Sequence, residues 1–80
     1  MNSDKIAVYG LGGIGLGICA TWIRADYKVI GIDIDSNKVK EINQGIIKHP
    51  DPLVVKTISE AIERKSFYAT TEGVMASKLS

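Results

Sequence analysis

The sequence predicts an α/β chain with three parallel strands in one sheet, in the order 3-2-1, the first half of a doubly wound fold with element order βαβααβ(α). Three observations carry that expectation. Short β-branched runs alternate with helical periodicity, a glycine cluster separates the first run from the first helix, and an acidic residue closes the second run.

Ile6-Ala7-Val8-Tyr9, bounded by Lys5 and Gly10, has the pattern of a strand buried on both faces of a parallel sheet. After the glycines, Ile14, Ile18, Trp22 and Ala25 recur every three to four residues, with Leu16, Cys19, Ala20 and Ile23 between them. That pattern describes a largely buried helix ending near Arg24 or Ala25. Lys28-Val29-Ile30-Gly31-Ile32 reads as a second buried strand, closed by Asp33. Ser36 is expected to cap a short amphipathic helix that turns Val39, Ile42 and Ile46 inward and stops at Gly45. A connector over residues 46–50 leads to Asp51-Pro52, an N-cap followed by proline at the first helical position. Leu53, Thr57, Ile58, Ala61 and Ile62 then form one apolar face through about Lys65. Phe67-Tyr68-Ala69-Thr70 reads as a third strand, and residues 72–79 as a last weak helical turn.

Composition narrows the function classes. The 80 residues carry 10 Lys and Arg against 9 Asp and Glu, a net charge of +1 with no basic cluster, which argues against nucleic acid as a partner. No apolar run approaches the roughly 18 residues a membrane span needs, and the N-terminus is not a signal peptide. A single cysteine, Cys19, excludes an internal disulfide and fits a reducing, cytoplasmic setting. A chain this short buries only about 60–65% of its unfolded surface, so its core is marginal unless it pairs with something.

Gly10-Leu11-Gly12-Gly13-Ile14-Gly15 satisfies G-x-G-x-x-G, leaves a strand and opens a helix, and Asp33 ends the next strand 18 positions after Gly15. Gly10 permits the tight turn, Gly12 lets a pyrophosphate approach the backbone, and Gly15 lets the helix pack on the sheet. The helix N-terminus offers unpaired N–H groups and partial positive charge to phosphates. Asp33 would accept from the adenosine ribose hydroxyls and repel a 2′-phosphate, which favours NAD over NADP, although Lys38 lies one helical turn on. The plainer alternative is a glycine-rich turn without a ligand, with Asp33 only capping the next segment.

Cys19 reads as a buried structural thiol and His49 as a solvated loop histidine with no second His or Cys to share a metal. Trp22 is core or an exposed apolar face, and Thr70 and Thr71 end the third strand at the carboxyl edge of the sheet, where ligands bind in such folds. No residue is assigned a catalytic role, and none a metal.

The series of motifs resembles the N-terminal part of the NAD-binding, Rossmann-type domain of the UDP-glucose/GDP-mannose dehydrogenase family. The resemblance runs from Lys5-Ile6-Ala7-Val8 through the glycine loop, Val29-Ile30-Gly31-Ile32-Asp33-Ile34-Asp35, the Asn43 and Gly45 pair and Asp51-Pro52 to Ala69-Thr70-Thr71-Glu72. It implies that Gly10, Gly12, Gly13, Ile14 and Gly15 hold the NAD pyrophosphate, that Asp33 and Lys38 contact the adenosine ribose, and that Thr71 or Thr70 lines the cleft. Gly13 and Gly17 depart from the tyrosine and proline usual in the family, which bears on the rigidity of the loop. The family oxidises the 6-hydroxyl of a UDP-sugar to a carboxylate, through a cysteine thioester, with residues that lie far beyond position 80; Cys19 does not align with that cysteine.

The expectation is therefore a fragment of a UDP-sugar dehydrogenase that binds at most the ADP-ribose half of NAD and catalyses nothing alone. A regulatory nucleotide-binding module of potassium-transport type, or a self-associating fragment without ligand, are the alternatives. In the order 3-2-1 the first strand is an open edge, so a homo-oligomer through that edge or the adjoining helices is also expected.

Overall fold

The structure, a computed structural model, describes residues 5–72. Its elements are β1 (Lys5–Tyr9), α1 (Gly13–Arg24), β2 (Lys28–Ile32), α2 (Ser36–Asn43), α3 (Pro52–Glu63) and β3 (Phe67–Thr70). The three strands are parallel and β2 is central, as the sequence predicts. The helical turn expected over residues 72–79 lies outside the described residues save for Glu72.

Register places the carboxyl ends of the strands level. Tyr9 pairs with Ile32, and Ile32 with Thr70. One further bond extends each ladder, from Gly10 N–H to the Ile32 carbonyl at 2.7 Å and from Asp33 N–H to the Thr70 carbonyl at 3.1 Å. Gly10, Asp33 and Thr71 consequently leave the sheet side by side.

The main core lies between the sheet and the α1 and α3 helices. Val8, Val29, Phe67 and Ala69 from the strands meet Leu16, Cys19, Ala20 and Ile23 of α1 and Val54, Ile58 and Ala61 of α3. Ile30 and Ile32, on the other face of β2, form a smaller cluster with Ala7. Gly31 is small because a Cβ there would stand 2.8 Å and 3.0 Å from the Leu11 methyls and 3.0 Å from Phe67 Cζ.

The structure corrects several expectations about faces. α1 is apolar on two opposite sides, and the sheet takes the Leu16, Cys19, Ala20 and Ile23 side because its small residues allow close approach. The Ile14, Ile18 and Trp22 stripe points away, Ile14 being 84% exposed. β1 is not buried on both faces: Val8 alone is fully buried, and Tyr9 is 63% exposed. In α3, Leu53 is exposed and Val54 takes the core position. Ile46 is likewise exposed, and Ile47 packs on the core instead.

The helix starts follow side-chain caps. Asp35 rather than Ser36 caps α2, its carboxylate accepting from the N–H groups of Asn37 and Lys38 at 3.1 Å each. Asp51 caps α3 through Leu53 N–H at 2.9 Å, with Pro52 at the first turn. All three helices end in the same paired reverse bonds, from Tyr27, Ile46 and Ser66 N–H back to the carbonyls of Trp22, Glu41 and Ala61. That motif needs a left-handed residue one position earlier. Gly45 supplies it after α2 at φ +87°, whereas Asp26 and Lys65 are forced into it at +72° and +62°.

Asn43 ties α2 to β3. Its side-chain oxygen accepts from Ala69 N–H and its amide donates to the Ala69 carbonyl, both at 2.8 Å.

Candidate functional site

The site residues gather at the carboxyl edge of the sheet because the glycine loop, Asp33 and Thr71 follow strand ends that share a register, and Thr70 is itself the end of β3. Gly10, at φ +89°, turns the chain out of β1, and Gly12 is the N-terminal flanking residue of α1, with no side chain to cap it. A Cβ on Gly15 would collide with the Gly10 carbonyl oxygen, so this glycine is what brings α1 onto the turn. By contrast, a Cβ on Gly12 or Gly13 would meet nothing within 4 Å, so neither is kept small by the protein itself.

Asp33 joins the two halves of the site. Its Oδ2 accepts from Leu11 N–H at 2.8 Å and its Oδ1 from Asp35 N–H at 2.9 Å. The Leu11 bond above all, then the Asp35 bond, holds this carboxyl below its ordinary value, with Lys38 Nζ at 3.9 Å from Oδ2 adding to the effect. An ionised carboxylate has about four lone-pair sites. Two are taken here, which leaves capacity for a vicinal diol. Capping of the next segment and ligand binding are therefore compatible roles.

Lys38 stands over this carboxylate with its side chain 41% exposed. The Thr70 hydroxyl accepts from Glu72 N–H at 3.1 Å and so shapes the turn that follows β3, while Thr71 is exposed. A cleft of about 410 Å³ opens between the first turn of α1 and α2, bordered by Gly12, Gly13, Asp35, Lys38 and Lys48 over a floor of Leu16 and Ile42.

Cys19 is fully buried and its thiol is pushed up to about 12 by desolvation, which fits the inert thiol expected from the sequence. Trp22 sets its ring edge-to-face on Tyr27 at 5.1 Å. His49 lies in the connector, as expected, but is half-buried rather than free in solvent, with Nε2 3.0 Å from the Gly13 carbonyl oxygen and Nδ1 accepting from Asp51 N–H at 3.0 Å. Its 36-residue separation from Gly13 leaves no local sequence signal for that contact. Ile34, an apolar residue between two aspartates at the end of β2, is 96% exposed beside Asp33. Among the described residues no cluster of three potential ligands could hold a metal, and no helix is long and apolar enough to cross a membrane.

Known proteins agree with this geometry. The chain is 36% identical over 72 residues to UDP-N-acetyl-D-mannosamine dehydrogenase of Yersinia pestis, a match covering 90% of this chain and 17% of that one. It is 37% identical over 76 residues to the enzyme of the same name from Salmonella typhi, covering 95% and 18%. Among solved structures, UDP-D-ManNAc dehydrogenase from Pyrococcus horikoshii superposes with a TM-score of 0.76 at 33% identity, over 84% of this chain and 16% of that one. GDP-mannose dehydrogenase from Pseudomonas aeruginosa, solved as a ternary complex, superposes with a TM-score of 0.75 at 28% identity, over 86% and 16%. The chain thus spans less than a fifth of the length of these relatives. The potassium-transport alternative is not favoured by any of these matches. Residues 4–80 match the NAD binding domain of the UDP-glucose/GDP-mannose dehydrogenase family, and the chain belongs to that family.

Proposed function

We propose that this chain binds the ADP half of NAD, and that it does so as the nucleotide-binding part of a nucleotide-sugar dehydrogenase of the kind its relatives are named for. The observation that carries this reading is the Asp33 carboxylate, anchored by the glycine loop through Leu11 and still able to accept from a ribose diol. Gly10, Gly12, Gly13, Ile14 and Gly15 would hold the pyrophosphate, Asp33 and Lys38 the adenosine ribose, and Thr70 and Thr71 the side of the cleft. Ile34 offers an exposed apolar face beside Asp33 against which an adenine ring can lie. NAD supplies the hydride acceptor when bound. This chain's residues bind and orient it.

Titration of the chain with ADP-ribose, NAD and NADP, followed by amide NMR shifts, tests the reading. Saturable shifts centred on Gly12, Gly13, Asp33 and Thr71 are expected, with NADP weaker because its 2′-phosphate meets Asp33. Absence of saturable binding at millimolar ligand would refute it.

Self-association through β1 or the α1 face belongs to the same proposal. It is supported by the outer position of β1 and by the exposed Tyr9, Ile14, Ile18 and Trp22. Sedimentation showing only monomer at high concentration would contradict it. A cytoplasmic setting is supported by the unpaired Cys19 thiol.

A further inference from the structure

We propose that His49 is a positioning residue for the glycine loop: it grips the Gly13 carbonyl and thereby aims the Ile14 N–H at the phosphate side of α1. The inference rests on the reading of that loop as a phosphate site.

Both ring nitrogens are engaged. Nδ1 accepts from Asp51 N–H at 3.0 Å, so it carries no proton, and the neutral ring must carry its proton on Nε2. Nε2 then donates to the Gly13 carbonyl oxygen at 3.0 Å. A peptide unit is planar and trans, so its C=O and N–H point in opposite directions. Fixing the Gly13 carbonyl therefore fixes the N–H of Ile14, one of the unpaired donors in the first turn of α1.

That peptide lies in the first turn of α1, where His49 adds a side-chain partner to the helix's own backbone bonds. Gly12 and Gly13 have no side chains, and the space where their Cβ atoms would stand is empty to 4 Å, so no side chain of their own helps to fix the turn. His49 itself stands on a braced connector. Glu41 and Lys48 pair at 3.3 Å at one end, and Asp51 caps α3 at the other. The ring thus links the start of α3 to the start of α1.

Two substitutions in the full chain separate this role from a structural one. In His49→Asn the side-chain oxygen replaces Nδ1 and keeps the Asp51 bond, but the amide is too short to reach Gly13. In His49→Gln the amide nitrogen replaces Nε2 and restores a donor to Gly13. ADP-ribose affinity is expected to fall about three- to tenfold in His49→Asn, the size of one net hydrogen bond, and to return to within about twofold in His49→Gln. Melting temperatures of the two variants should match. Hydrogen exchange at Ile14 should quicken in His49→Asn and not in His49→Gln, and imidazole nitrogen shifts of the parent chain should report the Nε2–H tautomer. Parental affinity and Ile14 exchange in His49→Asn would overturn the proposal. So would parallel losses of affinity and melting temperature in both variants. If the parent chain binds no ADP-ribose, the phosphate-site reading fails, and the exchange and tautomer measurements still decide whether His49 holds the loop.

Discussion

Alanine at Gly15 and alanine at Gly12 are the same chemical change in one loop, and the geometry separates their outcomes. A Cβ on Gly15 would fall within the contact shell of the Gly10 carbonyl oxygen and 2.9 Å from the Gly10 carbonyl carbon. Both obstacles are backbone, and Gly10 is tethered to Ile32 at 2.7 Å, so no side chain can rotate aside. α1 would have to lift from the turn and carry Leu16, Cys19, Ala20 and Ile23 out of their packing. Overpacking costs about 1–3 kcal/mol where side chains can yield, and at least about 3 kcal/mol is expected where only backbone can. Against a total stability of roughly 4–12 kcal/mol for a chain of this length, Gly15→Ala should remove at least about a quarter of it and, at the low end, about three quarters. At Gly12, with φ −74° and ψ −168°, any residue fits the backbone. Alanine loses about 0.5–1 kcal/mol as a cap and regains about 0.4–1 kcal/mol by stiffening the unfolded chain, a net change within about 0.5 kcal/mol. Its methyl would nevertheless occupy the approach to the pyrophosphate and weaken ADP-ribose by at least about tenfold. Urea denaturation followed by circular dichroism, with ADP-ribose titration of the folded variant, measures both. A Gly15→Ala midpoint equal to the parent's would refute the packing argument, and undiminished binding by Gly12→Ala would refute the phosphate placement.

Because the folded Asp33 carboxyl lies below its ordinary 3.8, its stabilisation is complete above that value and is lost as pH falls through the lower folded value. Asp33→Asn should therefore flatten the acid limb of the stability curve; an unchanged acid limb would show that the carboxylate contributes nothing. At neutral pH, where one of its two N–H partners would face an amide NH₂, the same variant should lose about 1.5–3 kcal/mol. Asn43→Ala removes both bonds to Ala69, which is 4% exposed, and should cost about 1–3 kcal/mol by denaturant titration. Lys65→Gly relieves a left-handed residue after α3 and should raise stability by up to about 1 kcal/mol, measured as a higher melting temperature.

Much of this fold was legible because strand and cap chemistry is local. The three strands and the Asp51-Pro52 helix start follow from runs and dipeptides within a few residues. The outward face of α1 was not legible. Ile14, Ile18 and Trp22 have the spacing of a core stripe, and only the sheet's need for small residues at the contact selects the opposite side. The cap of α2 moved from Ser36 to Asp35 because two acceptors are adjacent and only the chain path chooses between them. Of the site, the glycine loop and Asp33 could be read from spacing. The His49 contact with Gly13 could not, since it depends on how the connector after α2 folds back.

The Asn43 side chain also has a consequence for assembly. A strand's free edge recruits further strands through its outward N–H and C=O groups. At Ala69 both groups are already satisfied by one carboxamide, which mimics the peptide of a neighbouring strand. The margin beyond β3 is thereby closed to a further strand at Ala69. A strand added beyond β3 would have to displace that carboxamide, which favours the β1 side, Lys5–Tyr9, as the place of addition.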